Sequence, residues 1–399
     1  MNILVVSQYF YPENFRINQL CIDLKNRGHN ITIFTGKPNY PVGKIFEGYS
    51  EKGFEVEEWE SMKIYRCPLR ARGEGSLNLL KNYLSFVHNG KIHIKKLNQM
   101  NFDLIYIFEV SPMTVALPAI KLKKITQLPI IINIQDLWPD NIIAVTGIDN
   151  KLVIGLITKL VKYIYKKCDL ILAASPSFVP KIQKLIEDKH KVVYWPQYST
   201  VKKLETKIEN LFDISKTNLV FTGNIGEAQG LDIVVEAASI LSKENFCFYI
   251  IGNGRSKDKL EYMVKEYNLE GVVKFLGFKP EEEIPYYLGA ADAALLILKP
   301  DPVFEMTIPA KLQTYFACGI PILGCVSGEA KRIILESNAG LVSDSLTVEG
   351  FVKICREFKM KSKEEISKLK INSLKYGNQN FDKDSLLDEL EKYMEELTL

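Results

Sequence analysis

The chain is 399 residues long, 47% hydrophobic and 25% charged, which excludes a disordered protein and exceeds what one hydrophobic core usually supports. Its 51 basic and 48 acidic residues give a formal net charge of +3, too balanced for broad nucleic-acid binding. The seven cysteines include no Cys-x-x-Cys pair, which is typical of a reducing cytosol.

The amino-terminal run Asn2-Ile-Leu-Val-Val-Ser7 reads as a strand directly after Met1, without the basic and apolar regions of a signal peptide. The uninterrupted apolar runs are only a few residues long, well below the roughly 20 that a membrane-spanning helix needs. We therefore expect a cytoplasmic protein that contacts a membrane only peripherally.

The first half of the chain predicts an α/β fold with a parallel sheet. A buried strand at 3–6 precedes apolar residues at helical spacing that end at Gly28, and a second strand follows at 29–36. Further strands are predicted at 104–108, 130–134 and 170–174, with helices at 77–98, 113–124 and 151–168.

The same alternation begins again after Trp195-Pro196, so that a second doubly wound α/β domain is predicted. Its last helix, 384–399, is amphipathic. The predicted strands are 219–222, 247–251, 273–276 and 293–298, and the predicted helices are 232–241, 257–267 and 281–290.

Two glycine turns follow the first two strands of this second domain. Gly223, Gly226 and Gly230 lie in the first turn, and Gly252 and Gly254 lie in the second. Because the carboxyl ends of parallel strands meet at one edge of a sheet, both turns are expected to line one crevice. Glycine lets the backbone approach a ligand, and a following helix N-terminus favours an anion such as a diphosphate. A tight turn without a ligand is the alternative for either turn alone.

Two basic residues near these turns are candidate anion ligands. Arg255 follows the second turn, and an exposed surface arginine is the equally weighted alternative. Pro309 and Gly319 delimit a predicted helix of about two to three turns with Lys311 near its start. A positive helix end plus an ammonium group suits a leaving nucleoside diphosphate, whereas a solvated lysine is the alternative.

The combination and order of these motifs resemble the family 4 glycosyltransferases of the GT-B fold. Within that family, the chain is similar to enzymes that build bacterial surface polysaccharides, including L-fucosamine (FucNAc) transferases. The motifs that carry the resemblance are Ser7-Gln-Tyr-Phe-Tyr-Pro-Glu-Asn-Phe-Arg-Ile17, Arg27-Gly-His29, Gln135-Asp-Leu-Trp-Pro-Asp140, Gly223-Asn-Ile-Gly226, Leu276-Gly-Phe278, Ala290-Ala-Asp292 and Ala317-Cys-Gly-Ile-Pro321.

The resemblance implies two Rossmann-like domains with a cleft between them. Residues 1–198 would bind the acceptor and 199–383 the nucleotide sugar, with the helix at 384–399 packing back on the first domain. Retention of the anomeric configuration is also implied by the family.

In the donor domain the chain departs from the family pattern at the diphosphate loop. The family's arginine corresponds to Asn224 and its lysine to Gln229, so the charge of the phosphates must be balanced elsewhere. The candidates for this role are Lys311, Arg255, Lys299 and Arg16.

The family's two glutamates should align with Met306 and Thr314, but a glutamate occurs only one place away, at Glu305. Glu305 is a candidate to hold the donor sugar, whereas the ribose contact of the second glutamate is in doubt. Thr307 and Ile308 complete the expected donor segment, and Gly277 and Phe278 would lie near the base, as in relatives that use UDP-sugars.

In the first domain, Asp136 lies at a predicted strand end where relatives carry a histidine or an acidic residue near the reacting carbon. It is a candidate to orient the acceptor hydroxyl or the sugar, and a helix cap is the equally weighted alternative. Glu13, Asn14 and Arg16 on the loop after the first strand, and Glu109 at another strand end, are further acceptor candidates.

No metal site is predicted, in agreement with the metal-independent catalysis that the resemblance implies. The pair Asp382-Lys-Asp384 precedes the last helix and is better explained as its cap. The four histidines are scattered along the sequence at His29, His88, His93 and His190.

Two basic, apolar stretches, 77–96 and 151–167, are candidates for membrane contact. In the second, Leu152, Leu156, Leu160 and Tyr163 recur on one helix face beside lysines, as in helices that bind anionic lipid. Helices that pack on a sheet show the same periodicity, and this alternative is favoured.

We therefore predict transfer of an N-acetylated (deoxy)amino sugar such as L-FucNAc from a UDP-sugar to a lipid-linked or oligosaccharide acceptor. A sugar-nucleotide epimerase on the same architecture is one alternative, disfavoured by the acceptor-type opening loop. A non-catalytic nucleotide-sugar binder, suggested by the missing arginine, lysine and glutamate, is the other.

Overall fold

The computed structural model describes residues 1–142, 150–201 and 211–399. It divides into two compact units. Unit 1 comprises Met1–Trp195 and Leu387–Leu399, and unit 2 comprises Pro196–Leu386.

Unit 1 is built on an eight-stranded sheet in the order β3-β4-β2-β1-β5-β6-β7-β8. Only β3 runs antiparallel, paired with β4. The central strands are buried on both faces because their residues are almost all apolar. The strands are β1 (Asn2–Val6), β2 (Asn30–Thr35), β3 (Glu55–Trp59), β4 (Met62–Arg66), β5 (Leu104–Glu109), β6 (Ile130–Ile134), β7 (Leu170–Ala173) and β8 (Val192–Tyr194).

Helices connect the parallel strands of unit 1. The first of them ends where predicted, because Gly28 adopts a positive φ of 94° that continues no helix. The helices are α1 (Arg16–Asn26), α2 (Ser76–His93), α3 (Ala116–Thr126), α4 (Lys151–Lys167) and α5 (Phe178–Gln183).

The β3–β4 hairpin is absent from the sequence prediction. Its two turn residues, Glu60 and Ser61, both adopt positive φ, which is the geometry that Asn-Gly or Asp-Gly usually supplies. Three of the five residues of Glu55–Trp59 are glutamates, so the segment lacks the apolar character of a typical strand. The hairpin therefore has neither the usual turn residues nor an apolar strand by which it could be predicted.

The outer face of α4 differs in part from the favoured expectation. In α4, Leu152 is 81% and Leu156 66% exposed, whereas Leu160 is half-buried and Val161 and Ile164 are buried. The first half of the stripe singled out in the sequence therefore faces solvent, and the interpretation that the stripe packs on the sheet is wrong for Leu152 and Leu156. The helix uses its other face for packing.

Unit 2 is built on a six-stranded, all-parallel sheet in the order β11-β10-β9-β12-β13-β14. Alternate residues of the central strand β9 pack into two separate hydrophobic cores. Leu219 and Phe221 belong to one core, and Val220 belongs to the other. Both faces are therefore covered, as in a doubly wound fold. The strands are β9 (Thr217–Thr222), β10 (Phe246–Ile251), β11 (Val273–Gly277), β12 (Ala293–Ile297), β13 (Ile322–Cys325) and β14 (Gly340–Val342).

One helix of unit 2 has the ends that its sequence predicts. Pro309 precedes its first turn, and Gly319 follows its last turn at a φ of 65°. The helices are α6 (Asp232–Leu241), α7 (Lys257–Glu266), α8 (Ile284–Ala290), α9 (Pro302–Glu305), α10 (Ala310–Cys318), α11 (Gly328–Ser337), α12 (Val348–Lys359) and α13 (Lys363–Asn380). The last helix, α14 (Lys383–Thr398), begins in unit 2 and belongs to unit 1 from Leu387 onward.

The carboxyl-terminal helix α14 is capped as predicted. Asp382 Oδ1 accepts hydrogen bonds from Ser385 N at 2.9 Å and Ser385 Oγ at 2.7 Å. Farther along, Glu391 accepts from Arg27 and contacts His29 Nε2, each at 2.8 Å. These contacts join the end of α14 to the turn after α1 in unit 1.

Within the described ranges, no helix combines the length and apolar content needed to cross a bilayer. All seven cysteines are buried free thiols.

We expect Leu390→Ala to destabilise unit 1, because Leu390 is completely buried on α14. Removing a buried leucine side chain costs about 2–5 kcal/mol. Thermal unfolding measures the effect, and the exposed Glu395→Ala on the same helix is the control, expected to change stability by less than about 0.5 kcal/mol. Equal midpoints for both variants would contradict this packing of α14.

Candidate functional site

The two glycine turns of unit 2 lie against each other at the carboxyl edge of the sheet. Gly223 N donates to Ile251 O at 2.9 Å, and Ile225 N donates to Asn253 O at 2.8 Å. A Cβ on Gly252 would lie 1.8 Å from Gly223 O, and its φ of 140° is one that other residues rarely adopt. Only glycine fits at this position.

Asn224 occupies the space between the two turns. A Cβ on Gly226 would lie 2.8 Å from Asn224 Nδ2, and one on Gly254 would lie 2.6 Å from Asn224 Oδ1. The second position is also closed by Ile225 O at 2.4 Å. Asn224, which the resemblance aligns with an arginine, therefore places an uncharged amide between the two turns.

Lys311 lies at the first glycine turn. Its Nζ is 3.9 Å from the centre of the Phe221 ring, and it donates a hydrogen bond to Gln229 Oε1. A Cβ on Gly223 would lie 3.6 Å from the same Nζ. Burial lowers the pKa of Lys311 to about 7, because the charged ammonium is disfavoured away from water.

The start of α10 provides further positive potential at this point. Its first turn contains no acidic residue, and no side chain caps its N-terminus. The helix is held in place by Tyr315, one turn after Lys311 on the same face. Tyr315 Oη donates to Leu295 O at 3.1 Å and accepts from Thr222 N at 3.3 Å. These contacts of Tyr315 were not predicted from the sequence. The only signal is its position four residues after Lys311, which places both side chains on one face of the helix.

Lys299 lies beside the end of the first glycine turn. Its Nζ is 3.4 Å from Glu227 Oε1, and its backbone N donates to Ala228 O at 3.0 Å. A Cβ on Gly230 would lie 3.2 Å from Lys299 Cγ. The structure therefore brings two lysines, Lys311 and Lys299, to this turn.

The segment before α10 is built around Glu305. This exposed residue ends α9, and its Oε1 accepts a hydrogen bond from Ser327 Oγ at 2.9 Å. A Cβ on Gly328 would lie 2.0 Å from Glu305 O, so the backbone of Glu305 lies directly against the start of α11. Thr307 Oγ1 donates to Phe304 O at 3.1 Å. Partly buried residues of the same region are Met306 and Ile308, which follow α9, and Thr314, which lies on α10.

The other predicted donor residues lie at the sheet edge. Gly277 ends β11 with a φ of 69°, and its carbonyl accepts from Gly252 N at 2.8 Å. The next residue, Phe278, is 75% exposed. Arg255 is exposed after the second glycine turn.

In unit 1, two carboxyl groups follow the neighbouring strands β5 and β6. Glu109 is completely buried, and its Oε2 accepts from Asp136 N at 3.3 Å, whereas its Oε1 has no hydrogen-bond partner. Burial, and then the charge of Asp136, raise the pKa of Glu109 well above its usual value. Asp136 is half-buried, and its Oδ2 accepts from Ser111 N at 2.8 Å.

These contacts assign different roles to the two carboxyl groups. Glu109 accepts a hydrogen bond from the backbone at the next strand end, and its burial favours the protonated form, whereas Asp136 remains partly open to solvent. The alternative role of Asp136, a cap for a helix near residue 140, finds no support in its contact with Ser111. Residues 143–149 of that segment lie outside the described range.

Glu13 is buried and braces two loops. Its Oε1 accepts from Asn39 N at 2.8 Å and Tyr40 N at 2.7 Å, and its Oε2 accepts from Phe10 N at 3.2 Å. Burial raises its pKa to about 7, against the opposing effect of these N–H donors. Glu13 therefore positions the loops. Asn14 is exposed and Arg16 is half-buried at the start of α1.

The braced loops carry an aromatic cluster that the sequence analysis did not identify. Tyr9 stacks on Phe15 with ring centres 5.2 Å apart, and Tyr40 lies 5.3 Å from Phe15. The Arg72 guanidinium lies 5.3 Å from the centre of the Tyr40 ring. Tyr40 is 38% exposed. An exposed aromatic ring beside a cation is well suited to bind a sugar ring that carries an anionic group.

No group of three or more His, Cys, Asp or Glu side chains in the described part of the chain is arranged to hold a metal ion.

Residues 202–374 match the family model described as glycosyl transferases group 1. A curated relative, the colanic acid biosynthesis glycosyl transferase WcaI of Escherichia coli, is 26% identical over 342 residues, which cover 80% of this chain and 82% of that protein.

Solved structures of similar fold cover nearly the whole chain. Sucrose-phosphate synthase of Thermosynechococcus elongatus has a TM-score of 0.75 at 13% identity, covering 99% of this chain and 98% of its own. HepE of Anabaena, solved with UDP and glucose, has a TM-score of 0.71 at 14% identity, covering 99% and 100%. The predicted GT-B fold and glycosyltransferase class are confirmed by the family match over residues 202–374, the curated relative and the solved structures of similar fold.

Proposed function

We propose that this glycosyltransferase transfers an N-acetylated (deoxy)amino sugar, such as L-FucNAc, from a UDP-sugar to a lipid-linked or oligosaccharide acceptor. The reaction would belong to the synthesis of a bacterial surface polysaccharide such as O-antigen or capsule. The names of relatives, which assign them to colanic acid and amylovoran biosynthesis, support this assignment. The choice of sugar rests on the sequence resemblance.

The contact of Lys311 with the first glycine turn carries the proposal for the donor site. Lys311 Nζ lies at Gly223, and the helix α10 that carries it begins without a side-chain cap. A diphosphate carries the negative charge that an ammonium group and an uncapped helix start favour. Lys299, which contacts Glu227 in the free protein, is proposed as a second cation that compensates for the neutral Asn224 and Gln229.

In the proposed transfer, the acceptor oxygen forms a bond to the anomeric carbon while the bond from that carbon to the diphosphate breaks. The nucleoside diphosphate leaves with the electron pair, so that negative charge develops on its bridging oxygen, and the proton of the acceptor hydroxyl passes to this departing diphosphate. Lys311 stabilises this charge, since a nearby anion favours the ammonium form. Gln229 holds the Lys311 side chain at the turn before the donor binds.

UDP is the proposed nucleotide. A neighbour of the same fold, HepE, is solved with UDP and glucose, and Gly277 and Phe278 end the strand where the resemblance expects the base. Glu305, accessible at the end of α9, is proposed to hold hydroxyl groups of the donor sugar. Retention of configuration and metal-independent catalysis belong to the same proposal.

Unit 1 is proposed to bind the acceptor at its carboxyl edge. Asp136 orients the acceptor hydroxyl, and Glu109 positions Asp136 through its backbone. The exposed ring of Tyr40 provides a stacking surface for the acceptor sugar, and Arg72 beside it provides a charge for a phosphate group. Because a lipid-linked acceptor lies at a membrane, peripheral attachment of a cytoplasmic enzyme to the inner face of the membrane is part of the proposal.

The lowered pKa of Lys311 predicts that UDP binding takes up a proton. Above about pH 7 the free protein holds Lys311 mostly neutral, and the diphosphate favours the charged form. The affinity for UDP should therefore fall as pH rises from about 7.5 to 9, by up to about tenfold per pH unit. Calorimetry in buffers of different ionisation enthalpy measures the proton uptake.

Lys311→Arg is the matched control, because arginine stays charged over this whole range. It should remove the proton uptake while retaining more affinity than Lys311→Met. Wild-type binding without proton uptake would contradict the proposed contact between Lys311 and the diphosphate.

The aromatic cluster predicts a separate effect on the acceptor. We expect Tyr40→Ala to raise the acceptor KM about tenfold, the upper range for one stacked aromatic contact, with the UDP affinity unchanged. Tyr40→Phe keeps the ring and should change KM little. The assay uses the acceptor that supports transfer in a panel of oligosaccharides and lipid-diphosphate sugars. An unchanged KM in Tyr40→Ala, with folding verified by thermal unfolding, would exclude this stacking role.

A further inference from the structure

Three neighbouring helices of unit 1 carry charge of one sign only. Within Ser76–His93, Ala116–Thr126 and Lys151–Lys167 there are two, three and five lysines but no aspartate or glutamate. The whole chain, in contrast, has 48 acidic residues against 51 basic ones. Such a segregation of charge favours a partner that carries negative charge.

The same helices expose apolar side chains. On α2, Leu77 is 73%, Leu80 51% and Leu84 56% exposed, and these residues follow one another at helical spacing. On α4, Leu152 and Leu156 form a second exposed stripe. A surface that combines exposed leucines with lysines alone is typical of proteins that lie on an anionic bilayer.

The sheet topology determines which end of each helix lies near the carboxyl edge of the sheet. Helices α2, α3 and α4 each return from the carboxyl edge of the parallel sheet to its amino edge, so their first turns lie at the carboxyl edge. The exposed leucines occupy the first halves of α2 and α4. They are therefore on the same side of unit 1 as the strand ends that carry Glu109 and Asp136.

A cavity of about 440 Å³ lies between α2 and α3, toward the other end of these helices. Its walls include no carboxylate among the described residues. Ile92, Leu117 and Ile120 supply apolar surface beside the cations. The polar part of its lining consists of His88, Lys91, Lys95, Lys121, Lys124 and the ring of Tyr163 from α4.

We propose that this cavity binds the phosphate headgroup of an anionic phospholipid and that the leucine stripes of α2 and α4 enter the bilayer surface beside it. Four lysines around one concave site match a phosphodiester, and the adjoining apolar residues match the acyl region. The inference deepens the proposed membrane contact: it names the face, the lipid chemistry and the orientation. The outer face of α2 and α4 then lies on the bilayer, and the strand ends that carry Glu109 and Asp136 are on the side of the leucine stripes.

Vesicle sedimentation tests the proposal with the full chain. We expect binding to vesicles of phosphatidylcholine with about one third phosphatidylglycerol, and little binding to phosphatidylcholine alone. The double variant Lys91→Glu/Lys124→Glu should reduce binding to the anionic vesicles at least tenfold, since each lysine contributes roughly fivefold at an anionic surface. Leu84→Gln/Leu156→Gln should reduce it at low and high salt alike, because apolar contacts are not screened.

The matched control is Lys259→Glu/Lys265→Glu on α7, which makes the same change of charge at exposed positions of unit 2. It should bind anionic vesicles like the wild type. Equal binding to both kinds of vesicle, or equal loss in the two lysine variants, would overturn the proposal. Inorganic phosphate that competes with the vesicles at millimolar concentration would identify free phosphate as the ligand and would likewise overturn it.

Calorimetry with UDP in the absence of vesicles separates this proposal from the donor site. Both lysine variants should bind UDP like the wild type, since neither changes the glycine turns or Lys311. Loss of UDP binding in every form of the protein would refute the donor proposal and leave the vesicle result to be judged by itself.

Discussion

The close approach of Gly223 and Gly252 is the constraint on which the donor site depends. Any side chain at Gly252 would collide with the Gly223 carbonyl, so the two turns can lie together only because this position is a glycine. Their contact leaves backbone groups open at the sheet edge, and Tyr315 holds α10 so that Lys311 reaches the same point. In the proposed site, the two lysines Lys311 and Lys299 supply the positive charge that the neutral Asn224 and Gln229 do not.

Unit 1 uses buried acidic groups for a different purpose. Glu13 accepts three backbone hydrogen bonds and thereby joins the loops after β1 and β2. Glu109, at the end of β5, accepts a hydrogen bond from Asp136 N in the loop after β6. Both have raised pKa values because they are removed from water. Such groups shape the edge of the sheet, whereas Asp136 is half-buried and the ring of Tyr40 is exposed, as the proposed acceptor contacts require.

Much of the fold follows from local signals in the sequence. The helix between Pro309 and Gly319 and the cap at Asp382 were predicted from residue chemistry alone. The β3–β4 hairpin was not, because its turn residues lack the usual signal. For the site, the glycine turns and Lys311 were identified, whereas the buried role of Glu13 and the Tyr40 cluster arise from loops distant in sequence. The exposure of Leu152 and Leu156 was predicted wrongly, since periodicity marks an apolar stripe without saying what covers it.

Hydrogen–deuterium exchange in the presence of UDP tests the central claim most directly, because it reports which backbone amides a ligand covers. The account predicts slower exchange at the amides of Gly223–Gln229, the second glycine turn and the start of α10, and a smaller effect with uridine, which lacks the diphosphate. Slower exchange confined to unit 1, or an equal response to UDP and uridine, would contradict the assignment of the glycine turns and Lys311 as the diphosphate site.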